Sequence, residues 1–297
     1  MAEAFRRGGE ALLVVHADDL GVSQAVNEGI KRCYQTGMVT STSMMANGPA
    51  FEQACAWACC EGWDVGLHLN FTSGGALAHA ADTSRMTNAG GLFPGKWIMT
   101  QRLLAGRVTQ GAMEREFRAQ MERLLTSGLQ VAHLDSHHHI HLLPRVAAVV
   151  APLAREYGLR WVRQLSLRSE GRCHGGRGFG AALQQGLMAL WASRRYYRSF
   201  AHAGHFRGMV WYASRDKQRT FMDLLHSLGS GVNEWMVHPA FHPQTGAKGS
   251  IEWHRFEEQR LLCDETLKGA VQQAGIKRIA IRAHLNTKRE IDEHSSR

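Results

Sequence analysis

No stretch of eighteen consecutive apolar residues occurs in the 297-residue chain, so a transmembrane helix is not expected. The first apolar run, ALLVV at residues 11–15, is shorter than a secretory signal core and leads straight into two aspartates. It reads as the first buried strand of a cytoplasmic protein. Cysteine is scarce. Cys55, Cys59 and Cys60 cluster, but no second pair at zinc-finger spacing completes a site. They read as buried reduced thiols, and a disulfide framework is not expected at this length. No internal repeat is visible. Acidic residues are nearly missing from residues 166–220, where ten Arg or Lys face only Glu170 and Asp216. That segment carries +8 of the formal +9. The basicity is therefore local, and with no recognised binding motif beside it a nucleic-acid partner is not expected.

What remains is ordinary globular material, 44% apolar and 21% charged. Strand-like runs alternate with helix-like runs from end to end. ALLVVHADDLG, MVTSTSMMANG, WDVGLHLNFTSGG, LQVAHLDS, LRWVRQ, VNEWMVHPAF and KRIAIR read as strands. Between them lie helical stretches, the first with Ser23 as N-cap and Gly37 as its stop, and a late long one from EEQRLL to VQQAG. Residues 74–100 read as a long loop, and residues 286–297 as a frayed tail. The alternation implies a mostly parallel sheet, closed as a barrel or open and doubly wound; six or seven βα units favour an irregular, TIM-like (β/α) barrel, built as a single domain over 1–297 with a basic insertion at about 166–220.

In such barrels chemistry gathers at the C-terminal strand ends. Asp18 and Asp19 close the first strand, His68 the third, DSHHHIH the fourth and His238 a late one. Any one of these alone would more often be structural: a satisfied core histidine, a helix cap, a chance surface run. Four at equivalent topological positions point to a metal held from several directions, since catalytic divalent ions take a few His and carboxylate ligands. Successive strand residues face opposite ways, so His133, Asp135 and His137 share a face if the strand reaches 137, and His138 points away. The run then donates one ligand, His137, beside His68 and one of the two aspartates. Asp135 is expected to orient an imidazole. His139 is expected to support the site or line the substrate cleft. Arg163, at another strand end, is expected to hold Asp18, to bind substrate or to make a structural salt bridge. Asp18 and Asp19 can act together only if the chain turns there, which Gly21 allows.

At HADDLGVSQAVNEGI, GMVTSTSMMANGPAFEQA, VGLHLNFTSG, HLDSHHHIHLLP and EWMVHPAF the chain resembles the YdjC-like carbohydrate deacetylases, most of all the chitin-disaccharide branch. The resemblance implies a hydrolase that removes the N-acetyl group of an amino sugar, in an oligosaccharide or a glycolipid. It implies a divalent metal, usually magnesium, on Asp19, His68 and His137, with Asp18 as general base and His238 as general acid. It also leans toward a homodimer. Two imidazoles and one carboxylate equally suit zinc, manganese or iron. The basic segment departs from the family pattern. Its residues 181–200 suggest an amphipathic basic helix that could lie on an anionic membrane, but a solvated helix or a dimer contact is the preferred reading. Two other functions compete: a metal-dependent phosphoester hydrolase, which would want more carboxylates, and a non-catalytic binder of anionic polymers, which would leave the strand-end residues unexplained.

Overall fold

The computed structural model describes residues 10–165, 179–208, 214, 216–241 and 250–295. Parts of the basic segment, 166–178 and 209–213, lie outside these. The chain runs β1 (Ala11–Leu20), α1 (Gln24–Gln35), β2 (Ser41–Met44), α2 (Phe51–Glu61), β3 (Val65–Leu69), α3 (Ala80–Thr83), α4 (Lys96–Leu104), α5 (Gln110–Thr126) and β4 (His133–Ser136). A 3-10 segment (His137–Leu142), kinked at His138 and His139, follows. Then come α6 (Pro144–Glu156), β5 (Trp161–Val162), α7 (Phe179–Tyr196), β6 (His205–Arg207), α8 (Lys217–His226), β7 (Gly231–Val237), α9 (Ile251–Leu262), α10 (Glu265–Gln273), β8 (Lys277–Arg278) and α11 (Ile281–Ser295).

The strands form one parallel sheet in the order β5-β4-β3-β2-β1-β7-β6, with β8 added to β1. Ala201, just before β6, makes a parallel bridge to Trp161 of β5, which brings the two ends of the order together. The architecture is a TIM-like α/β half-barrel with surrounding helices. β1 is its hub, paired with β7 along Ala11–Ala17, with β8 at Leu12 and Leu13, and with β2 from His16 onward. Every residue of β1 from Leu13 to Leu20 is buried, as expected of a parallel strand covered on both faces. Ser23 caps α1 by accepting the Val26 N–H, and Gly37 leaves it in the left-handed region.

Five expectations change. Of the clustered cysteines only Cys55 is buried; Cys59 and Cys60 fall on the exposed side of α2. The stretch 74–100 is not wholly loop: α3 lies within it and α4 starts at Lys96, burying Met99 and Leu103. The late long helix is two, because Asp264 caps a new helix by accepting the Thr266 N–H. KRIAIR gives only the two-residue β8. From Ile281 the chain is helical, and residues 286–295 belong to α11 rather than to a frayed tail. Burial of Ile281 and Leu285 against Trp161 and Val14 holds that helix to the barrel. None of the described helices is long and apolar enough to cross a membrane. On α7, Leu187 and Trp191 stand about half exposed.

Candidate metal centre and its carboxylate cluster

The two aspartates that end β1 reach the same place because the backbone turns between them. Asp19 adopts φ 69°, and the β1–β2 register shifts between Ala17 and Leu20. A left-handed residue with a Cβ costs roughly 1–2 kcal/mol, least for Asp and Asn. Gly21, at φ 92°, completes the turn. Strand alternation puts His16 on the face of Asp18, and the His16 Nδ1 lies 2.8 Å from Asp18 Oδ1.

The strand β4 stops at Ser136, one residue short of the expected reach. His137 arrives instead through the 3-10 segment, in which His138 and His139 sit at φ 58° and 55°. His137 Nδ1 lies 2.9 Å from Asp19 Oδ1, and His68 Nε2 lies 3.1 Å from the same oxygen. One ligand atom from each of Asp19, His68 and His137 falls within 4.8 Å of the others. The imidazoles come from the end of β3 and from the turn after β4, the carboxylate from β1. His68 Nδ1 is 2.9 Å from Asp135 Oδ1 and 2.9 Å from Ser43 Oγ. Donating Nδ1–H to Asp135 leaves the Nε2 lone pair facing Asp19, the arrangement that orients a metal-binding histidine. This donor set, borderline nitrogen plus hard oxygen in a buried pocket, fits a divalent cation.

Beside this triad is a second cluster of His16, Asp18 and Asp135. A guanidinium fills it. Arg163, 1% exposed, donates to Asp18 Oδ2 at 2.6 Å and Oδ1 at 2.8 Å, pairs with Asp135 Oδ2 at 2.5 Å, and donates Nε–H to Glu234 Oε1 at 2.6 Å. Of the expected roles it thus holds Asp18, within a salt-bridge cluster that also takes in Asp135 and Glu234, and its burial withholds it from substrate. His139 is half-buried with its ring 6.0 Å from that of Phe206, and His138 Nδ1 lies 2.9 Å from Thr72 Oγ1. His238, just past β7, sets Nε2 4.0 Å from Asp18 Oδ2.

Several partners were not expected from the sequence. Arg255 of α9 donates to Asp19 Oδ2, leaving Oδ1 toward the two imidazoles. Glu258, one turn later, accepts the His238 backbone N–H at 2.6 Å and lies 3.7 Å from Lys217. Glu234 and His16 complete the set. Strand alternation marks His16 and, from its place in β7, Glu234; nothing in WHRFEEQR marks Arg255 or Glu258.

The electrostatics follow. Burial works against ionised Asp18, but Arg163 and His16 outweigh it and hold the carboxyl well below its usual 3.8. Asp19 is likewise held down against burial by Arg255 and His137. Burial opposes the His68 imidazolium, yet Asp135, Asp19 and Asp18 raise it to about 10. His238 is the reverse: burial wins over Asp18 and Asp19 and pushes it down to about 4.

The fold and these strand-end clusters define a TIM-like protein with a buried histidine–carboxylate centre. Comparison with known proteins gives the family. The family model described as YdjC-like protein matches residues 12–273, and the chain belongs to this family. It is 33% identical over 272 residues to a carbohydrate deacetylase of Geobacillus stearothermophilus, covering 91% of this chain and 96% of the relative. It is 31% identical over 271 residues to a chitooligosaccharide deacetylase of Yersinia pestis, covering 90% and 96%. The crystal structure of an Enterococcus faecalis protein described as a cellobiose-phosphate cleavage protein superposes with a TM-score of 0.73 at 22% identity, covering 92% of this chain and 98% of that one, a likeness of fold.

Proposed function

We propose that the protein hydrolyses the N-acetyl group of an N-acetylated amino sugar, releasing acetate and a free amine. The observation that carries the proposal is the Asp19–His68–His137 triad set beside Asp18 and His238 at the strand ends of a barrel. The names of the deacetylase relatives support it. Asp19, His68 and His137 would hold one divalent metal, which when bound supplies a Lewis acid for the amide carbonyl and for water. Magnesium is what the family resemblance suggests; two imidazoles and one carboxylate favour zinc or manganese.

The protein's own residues then carry the proton. Asp18 is ionised at any working pH, because Arg163 and His16 hold it so. As general base it takes a proton from water, but only in passing, since a carboxyl held this low is a weak base. The stronger base is His238, 4.0 Å away, which burial keeps neutral until a proton reaches it. Asp18 and His238 are thus two stations on one path, from the water to the leaving nitrogen. Asp135 keeps the His68 ring oriented, and Arg163 keeps Asp18 and Asp135 in place. A two-metal phosphoesterase reading would need the second cluster, and the Arg163 guanidinium already occupies it.

The test is acetate release from N-acetylglucosamine, chitobiose and longer oligomers, with and without chelator. Acetate from at least one substrate, lost with chelator and lost in Asp18→Asn while metal still binds, is expected. Near-native turnover in Asp18→Asn refutes the proton path. Release indifferent to chelator refutes the metal.

A further inference from the structure

The segment after β7 carries His238, and it is not a free loop. His238 donates its N–H to Glu258 Oε2 at 2.6 Å, Ala240 donates to the Arg255 carbonyl at 3.1 Å, and Phe241 donates to the Ala25 carbonyl at 2.7 Å. Residue 239 is proline and has no N–H. Every backbone donor from 238 to 241 is therefore taken, two of them by α9 and one by α1. On the α1 side, a Cβ placed at Gly29 would lie 2.5 Å from Ala240 Cα, so the two backbones touch. The Arg32 guanidinium lies over the Phe241 ring, 3.7 Å from its centre.

Glu258 is the unusual member of this set. It is fully buried, and its charged form is opposed by that burial despite Lys217 nearby. Replacing a whole buried ion pair by packed apolar residues is often neutral or stabilising for a fold, so stability alone does not account for the Lys217–Glu258 pair. What Glu258 does hold, besides Lys217, is a backbone N–H. The strand pairing of β7 ends at Val237, the last residue in register with β1. The Glu258 oxygen takes the next N–H, where a neighbouring strand would otherwise have to continue.

We propose that Glu258 is a positioning residue for His238: by accepting its backbone N–H it fixes the imidazole at its distance from Asp18, with α9 as the arm. This rests on the deacetylase reading for its kinetic consequence, but not for its geometry. Arg255 lies on the same helix, three residues earlier, and grips Asp19, so α9 sets the acid side and the metal side of the centre together.

The test uses Glu258→Gln, which keeps an acceptor oxygen, and Glu258→Leu, which does not, after wild-type activity is established. A misplacement of about 1 Å costs on the order of 100-fold in rate. Glu258→Leu is expected to lose about that much kcat, with KM and Mn2+ affinity by calorimetry unchanged, and Glu258→Gln to restore most of it. Glu258→Leu within threefold of wild type, or Glu258→Gln as slow as Glu258→Leu, overturns the assignment. Amide exchange at His238 in the wild type gives a second arm that needs neither a folded Leu variant nor turnover. Protection equal to that of the β7 amides supports the clamp, and fast exchange refutes it. If the wild type releases no acetate, the deacetylase reading fails while this arm still decides the clamp.

Discussion

Replacing Arg163 by methionine should destabilise the protein by an amount that depends on pH in a defined direction. The guanidinium is buried and pairs with Asp18, Asp135 and Glu234. Oxygens of Asp18 and Asp135 approach within 4.8 Å of each other. At that separation, with an effective dielectric of about 20, two uncompensated carboxylates repel by about 3 kcal/mol. That is enough to lift one of them by about two pK units. In the wild type both are depressed below 3.8, so their stabilisation is present above that value and is lost only as pH falls through their low folded values. Between pH 4 and 8 this cluster adds no slope. In Arg163→Met at least one carboxyl rises above its unfolded value, and stability is then lost as pH climbs through the raised pKa. The deficit relative to wild type should grow by about 3 kcal/mol from pH 4 to pH 7. Urea unfolding of both proteins in chelator, at constant ionic strength from pH 4 to 8, measures it. A deficit that stays constant with pH would refute the reasoning.

Two further outcomes follow from other parts of the molecule. Burial, outweighing Lys217, raises Glu258 to about 7 from 4.5. The folded state therefore keeps a proton that the unfolded chain gives up, and that stabilisation, present below 4.5, disappears as pH rises to 7, a loss of about 3 kcal/mol. The lowered pKa of Lys217 acts with the opposite sign in a more alkaline window. Glu258→Gln should flatten the decline seen by chemical unfolding between pH 5 and 8, and equal slopes would contradict it. Gly29→Ala should cost about 1–3 kcal/mol through overpacking, since its Cβ would meet Ala240 backbone at 2.5 Å. A melting temperature within a degree of wild type would show that α1 and the 238–241 segment can part at little cost.

The sequence carried the strands well where both faces are buried. ALLVVHADDL is an almost unbroken apolar run into polar strand-end residues, and it forms β1. The three residues read as ligands from the family resemblance lie together in space. Alternation along β4 puts His133 and Asp135 on one face, but carrying it on to His137 takes one more strand residue than β4 has. A turn with two left-handed histidines does the work instead; histidine visits positive φ more often than most residues with a Cβ, but still too rarely for a His-rich run to announce it. Helix ends set by a single side chain, such as Asp264, were lost inside a continuous helical pattern. Arg255 and Glu258 were out of reach for a different reason. They act across more than two hundred residues of chain or through a backbone N–H, and neither kind of contact leaves a periodic trace.

The guanidinium at the heart of the carboxylate cluster also sets a charge account. Asp18, Asp19, Asp135 and Glu234 bring four negative charges into one buried region, and Arg163 and Arg255 return two positive ones. With neutral imidazoles, two negative charges are left over. A dication closes that balance and a monovalent ion does not. The strong hold of His68 on its proton, up to about 10, is the same deficit expressed in the currency of hydrogen ions. Protons and a divalent metal at Asp19, His68 and His137 would therefore compete for one vacancy of charge, so acidification should act on this centre as a chelator would.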